Sequence, residues 1–156
     1  MIFAALGTCE PFPRLLKKLD ELAGKMEEEV IVQSGKTHIP VKNCRVFDYF
    51  PSLLESFSRA RLVIAHAGLG VQIELMQLHK PFIVVPRQKQ FQEHFDDHQL
   101  ETCEILRKKY GITYIENIED LTVDLLKNYD YVVPYTDHKL NLFRKQISQV
   151  LIKKEN

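Results

Sequence analysis

What this chain has little of narrows the choice first. Only three of its 156 residues are cysteine (Cys9, Cys44, Cys103), an odd number without a CxxC pair, which argues for reduced thiols in the cytosol. Cys9 falls in a loop before a helix and reads as a small, partly buried side chain rather than a reactive thiol, since no His or second Cys adjoins it. Net charge is also missing. Lys+Arg and Asp+Glu both number 21, so no bulk charge draws the chain to nucleic acid or anionic lipid, and no nucleic-acid partner is expected. No apolar run approaches the roughly 20 residues that span a bilayer, and the N-terminus lacks a signal-peptide pattern. There is no Walker lysine pattern, which excludes a P-loop NTPase, and no GxGxxG or HExxH. Internal repeats, low-complexity tracts and long linkers are absent too. What remains is an ordinary globular composition, 45% hydrophobic and 27% charged, long enough for one domain over 1–156 with a sizeable core.

Apolar runs of strand and helical period alternate, which predicts an α/β fold with a parallel, Rossmann-like sheet flanked by helices. Strands are expected at Met1–Leu6, Val30–Val32, Arg45–Phe47 (weak), Leu62–Ala65, Pro81–Val85 and Thr113–Ile115. Helices are expected at Pro11–Ala23, a short one ending at Ser58, Leu69–Leu78, Asp97–Tyr110, Ile118–Lys127 and His138–Lys153. Pro11 and Pro13 suit an opening turn and little else in a helix. The last helix carries Leu140, Phe143, Ile147, Val150 and Leu151 on one stripe, with Lys139, Arg144, Lys145, Lys153 and Lys154 elsewhere. That stripe implies docking onto the domain or a partner. Four strands end in special turns: Gly7-Thr8, Gln33-Ser34-Gly35, His66-Ala67-Gly68 and Pro86-Arg87. In a parallel sheet these share the carboxyl edge, where ligands bind.

The most informative segment is Ala65-His66-Ala67-Gly68-Leu69-Gly70-Val71-Gln72-Ile73-Glu74. A buried strand stops at two glycines and a helix starts, which aims free N–H groups and a positive dipole end at an anion. Glu74, one turn further on, can accept from ribose hydroxyls. Gly68 and Gly70 either admit phosphate to the backbone or supply the positive φ of a tight turn. His66 can contact phosphate, donate to a sugar or satisfy a carbonyl. The polar segment Arg87–Gln99 follows a buried strand, with Asp96 or Asp97 as helix cap and His98 and Gln99 facing the sheet edge. Otherwise it is a solvated loop. His94 and His98 have metal-pair spacing if the helix begins early, but without an obvious third ligand no metal is expected.

Taken in order, Gly7-Thr8 with Pro11-Phe12-Arg14-Leu15, His66-Ala67-Gly68-Leu69-Gly70 with Glu74, Lys80-Pro81-Phe82-Ile83-Val84-Val85-Pro86, and Asp97-His98-Gln99 form a set. It resembles the C-terminal, nucleotide-sugar-binding half of family 28 glycosyltransferases. The likeness covers about residues 1–110 and extends to stand-alone halves: the soluble subunit of the eukaryotic dolichol-linked N-acetylglucosaminyltransferase, and PssE-type subunits of bacterial exopolysaccharide synthesis. The resemblance implies the C-terminal half of a GT-B fold holding a UDP-sugar at its strand ends. Gly68, Leu69, Gly70 and Val71 would hold the diphosphate, Glu74 the ribose, and His98 and Gln99 the sugar hydroxyls. Gly7 and Thr8 would face the cleft between halves, and Phe50 would lie near uracil. Val71 stands where relatives often carry Ser or Thr, Pro51 removes an N–H beside the base, and His79 replaces a glycine.

The implied activity is inverting, metal-independent glycosyl transfer to a lipid-linked acceptor, without a cofactor. The general base belongs to a membrane-anchored partner subunit, His66 being the candidate in this chain. The chain would be cytoplasmic, peripheral to the membrane through that partner, with a homodimer plausible when it is alone. The competing reading is a non-catalytic binding or enhancer subunit.

Overall fold

Apolar, β-branched runs become strands and the leucine-rich amphipathic runs pack over them. The structure, a computed structural model, describes residues 1–134. The helix expected over 138–153 lies outside the described residues. Chain order is β1 (Ile2–Ala5), α1 (Pro13–Ala23), β2 (Val30–Gln33), β3 (Arg45–Phe47), α2 (Leu53–Arg59), β4 (Leu62–His66), α3 (Leu69–Gln77), β5 (Phe82–Val85), α4 (His98–Tyr110), β6 (Thr113–Tyr114) and α5 (Val123–Asn128). All six strands pair in parallel in the order β3-β2-β1-β4-β5-β6. The register sets Ile2 against both Val30 and Leu62, so β1 and β4 are adjacent although 56 residues separate their ends (5 to 62 is bridged by β2, β3 and α2). That junction is the topological switch point of a doubly wound sheet.

Because side chains alternate along a strand, each central strand feeds two cores. Ile2, Ala4, Leu62, Ile64, Ile83 and Val85 pack with Leu15, Leu16, Leu19 and Leu22 of α1 and Leu126 of α5. Phe3, Ala5, Val63, Ala65, Phe82 and Val84 pack with Phe57 of α2, Leu75 and Met76 of α3, and Cys103 and Leu106 of α4. Each fully buried leucine is worth about 1.5–3 kcal/mol, and four of them fasten α1. Among the described residues no helix is long and apolar enough to cross a membrane.

Two expected boundaries move for a physical reason. Helix α1 starts at Pro13 rather than Pro11, because the Pro13 ring disfavours helical backbone at Phe12, which has φ −135° and ψ 59° and donates its N–H to the buried Thr37 hydroxyl at 2.9 Å. The single helix expected over Ile118–Lys127 is two elements, a 3₁₀ turn at Ile118–Asp120 and α5. Two caps divide it: Asn117 accepts from the Glu119 N–H and Thr122 from the Leu125 N–H, each at 3.2 Å. A helix running through would forgo the second cap.

Candidate functional site

At the switch point the carboxyl ends of β1, β2 and β4, with the segment after β5, enclose a cleft of about 340 Å³. Its walls include Gly7, Thr8, Cys9, Gln33, His66, Gly68, Val71, Arg87, His94 and Gln99. Six of the residues expected at the site (Gly7, Thr8, His66, Gly68, Val71, Gln99) therefore meet on one cavity. Leu69, Gly70, Glu74 and His98 do not line it. Phe50 lines a different cavity of about 400 Å³ beside α2 and β3, where it packs edge-on against Phe3 and Phe47 at 5.3 and 5.1 Å. Cys9 is exposed at the cleft, not partly buried as expected.

The turn after β4 is built around the imidazole of His66. Its Nδ1 accepts the Gly68 N–H at 2.9 Å. A Cβ on Gly7 or on Gly68 would collide with the ring from either side. Gly68 has φ −66°, and the positive-φ glycines among the described residues are Gly7, Gly35 and Gly111. The tight-turn explanation for Gly68 and Gly70 is thereby replaced: Gly68 makes room for the ring, while a Cβ on Gly70 would meet open space. Burial, with the Arg87 charge nearby, pushes His66 down to about 3. The ring is neutral at physiological pH, consistent with Nδ1 accepting, and is a poor proton acceptor for an alcohol.

The first intrahelical N–H bond of α3 runs from Gln72 to the Gly68 carbonyl at 3.2 Å. The amides of Leu69, Gly70 and Val71 are therefore the orphan donors of this helix end, with the positive end of the dipole behind them. The Gly68 amide is already committed to His66. Glu74 is half-buried one turn further along the helix.

The segment after β5 is wired rather than merely solvated. Arg87 is 3% exposed. Its Nη2 donates to the Leu6 and Glu10 carbonyls, both at 2.6 Å, and its N–H is accepted by Gln99 Oε1 at 3.0 Å. Arg87 Nε is buried without a partner. Burial lowers the Arg87 pKa, although Glu93, Cys9 and Glu10 attract its charge. Arg14 pairs bidentately with Glu93, both bonds at 2.8 Å, and also donates to the Pro86 carbonyl at 3.0 Å. Glu93 in turn accepts the Gln88 N–H at 3.2 Å. Asp97 occupies the N-cap of α4, but its carboxylate accepts the Lys89 N–H at 2.8 Å. Asp96 accepts the His98 N–H at 3.2 Å instead. Burial opposes ionisation of Asp96, yet the His98 hydrogen bonds and the neighbouring histidines hold its pKa below the usual value.

Arg87 and Gln33 were not singled out as site residues by sequence. The available signals were a cation directly behind an apolar strand and its proline, and an amide closing the otherwise apolar Val-Ile-Val of β2.

A parallel sheet whose switch point opens between two glycine-flanked loops, with a bare helix end beside it, defines a Rossmann-like domain. The chain belongs to the glycosyltransferase family 28 C-terminal domain family, which matches residues 13–149. It is 30% identical to the human UDP-N-acetylglucosamine transferase subunit ALG13 over 128 residues, 72% of this chain and 11% of that protein. The subunit of the same name from Yarrowia lipolytica is 38% identical over 63 residues, 40% of this chain and 30% of that protein. The matched stretches thus span less than a third of either relative. In fold, the chain resembles the solution structure of ALG13 (TM-score 0.58, 19% identity, 92% of this chain and 93% of that one). It also resembles MurG of Acinetobacter baumannii (TM-score 0.56, 18% identity, 80% and 38%). The calicheamicin glycosyltransferase CalG4 gives 0.61 at 14% identity, over 83% of this chain and 33% of that chain. The architecture is that of one half of a GT-B glycosyltransferase.

Proposed function

We propose that this chain is the UDP-sugar-binding subunit of a two-component inverting glycosyltransferase that acts on a lipid-linked acceptor. The observation that carries the reading is the cleft at the β1–β4 switch point, lined by Arg87 and by Val71, the last of the three residues with orphan amides at the start of α3. The names of the ALG13 relatives point the same way. In this reading Leu69, Gly70 and Val71 donate to the diphosphate and stabilise charge as it grows on the departing nucleotide. Glu74 accepts from the ribose, Gln99 and His98 orient the sugar, and Phe50 lies near the base. No metal or cofactor takes part. The base that deprotonates the acceptor belongs to a membrane-anchored partner, which holds this chain at the cytoplasmic face. His66, neutral and engaged through Nδ1, orders the turn.

Calorimetry with UDP and UDP-sugars tests this. Wild type should bind, and Glu74→Ala should lose about tenfold, roughly the 1.4 kcal/mol of one good hydrogen bond. Val71→Thr, which supplies a hydroxyl at the helix end, should tighten binding. Turnover should require a co-expressed partner; robust transfer by the lone chain sinks the two-component idea. One observation favours the enhancer reading: the Gly68 amide is spent on His66 and Val71 offers no hydroxyl, so the anion site is short of donors. Absence of UDP binding, with Glu74→Ala silent, would decide for it.

A further inference from the structure

We propose that His94, Asp96 and His98 form a binding site for a divalent transition metal of the Zn²⁺ class at the rim of the cleft. The sequence spacing supplied two histidines and no third ligand; the fold supplies Asp96. One donor atom from each residue lies within 4.8 Å of the others. The Asp96 carboxylate oxygen stands 2.5 Å from His98 Nδ1 and 3.2 Å from His94 Nδ1. The two imidazoles meet edge to face with centroids 4.5 Å apart, so both Nδ1 atoms converge on one carboxylate.

Zn–N and Zn–O bonds of about 2.0–2.2 Å in a tetrahedron set neighbouring donors about 3.3 Å apart. The His94–Asp96 spacing already meets this. The His98–Asp96 spacing needs to open by less than 1 Å, and both side chains are exposed enough to move (50% and 43%). His94 differs: its side chain is 13% exposed, and its Nδ1 is buried with a carboxylate beside it but no hydrogen bond of proper geometry. A buried nitrogen in that condition costs free energy until something satisfies it, and a cation between it and the carboxylate does so. Two imidazoles and one carboxylate suit zinc rather than magnesium or calcium. Preorganisation comes from the wiring of the loop: Arg14–Glu93 fixes it before His94, Asp97–Lys89 and Gln99–Arg87 after Asp96. The ion would use His98 Nδ1 and leave Nε2 for a sugar hydroxyl, so it locks the loop rather than entering the transfer. The inference stands apart from the donor reading, because a chain that binds no UDP would still bind the ion.

Co²⁺ titration of the metal-free full chain, followed by visible absorption, tests the site. One equivalent should give the d–d bands of four- or five-coordinate cobalt, displaced by Zn²⁺, without the thiolate charge-transfer band that Cys9 would add. His94→Ala, Asp96→Asn and His98→Ala should each weaken binding by at least the roughly tenfold that even outer-sphere partners are worth. His38→Ala, on an exposed histidine away from the cluster, should match wild type. Because His94 is largely buried, exposed His98→Ala keeps the test decisive if His94→Ala does not fold. Bands absent from wild type, or unchanged in His98→Ala, overturn the proposal.

Discussion

His66 occupies space that two absent side chains leave. Gly7 precedes it by 59 residues, so nothing local in the chain marks the pair, yet the imidazole rests between Gly7 and Gly68 and accepts the Gly68 amide. Gly68→Ala should therefore destabilise the fold by about 1–3 kcal/mol, the usual cost of forcing atoms into a packed site. Adding His66→Ala should recover part of the loss, because the clash partner is gone. Urea unfolding of both single variants and the double variant measures the coupling. Strictly additive costs would mean that Gly68 is needed for some other reason. The glycines were legible as special positions; the object they make room for was not, because it depends on a parallel pairing between distant strands.

At the scale of elements, what periodicity could report was legible: six strands, the helices that pack on them and the shared carboxyl edge. The split between Ile118–Asp120 and α5 was missed although both caps, Asn117 and Thr122, stand in the sequence; apolar period alone does not weigh a cap against continuation. The segment after β5 was legible as polar, not as wired, since its ties reach α1 and the loop after β1. The pair Arg14–Glu93 is bidentate and largely buried, with side chains only 13% and 2% exposed. Arg14→Met leaves the Glu93 carboxylate buried without its cation and should cost about 3–5 kcal/mol. Arg14→Met with Glu93→Leu should cost clearly less than the two single variants together. Equilibrium unfolding monitored by circular dichroism separates these outcomes. The approach of Asp96 to both imidazoles was hidden for a related reason: the His94–His98 spacing reads as helical, whereas α4 begins only at His98 and the loop before it brings Asp96 against both rings.

For the whole molecule, the neutral His66 sets an acid limit. Its folded pKa of about 3 lies below the ordinary 6.5 of the unfolded chain. Above pH 6.5 neither state holds the proton and the contribution is complete. As pH falls from 6.5 towards 3 only the unfolded chain takes it up, so stability declines with a limiting slope of about 1.4 kcal/mol per unit. Urea midpoints at pH 7.5 and pH 5 should fall accordingly for wild type and less steeply for His66→Gln. Equal slopes would show that the proton is taken up elsewhere.

The imidazole keyed between the loops after β1 and β4 has a mechanical consequence. The ring borne by the second loop fills the space that Gly7 leaves in the first, so a side chain at either Gly7 or Gly68 would push the two loops apart. The segment 87–97 is bound to that same first loop, because Arg87 Nη2 holds the Leu6 and Glu10 carbonyls. A shift of His94 and Asp96 that carried Arg87 with it would therefore be passed to the loop bearing Gly7 and Thr8.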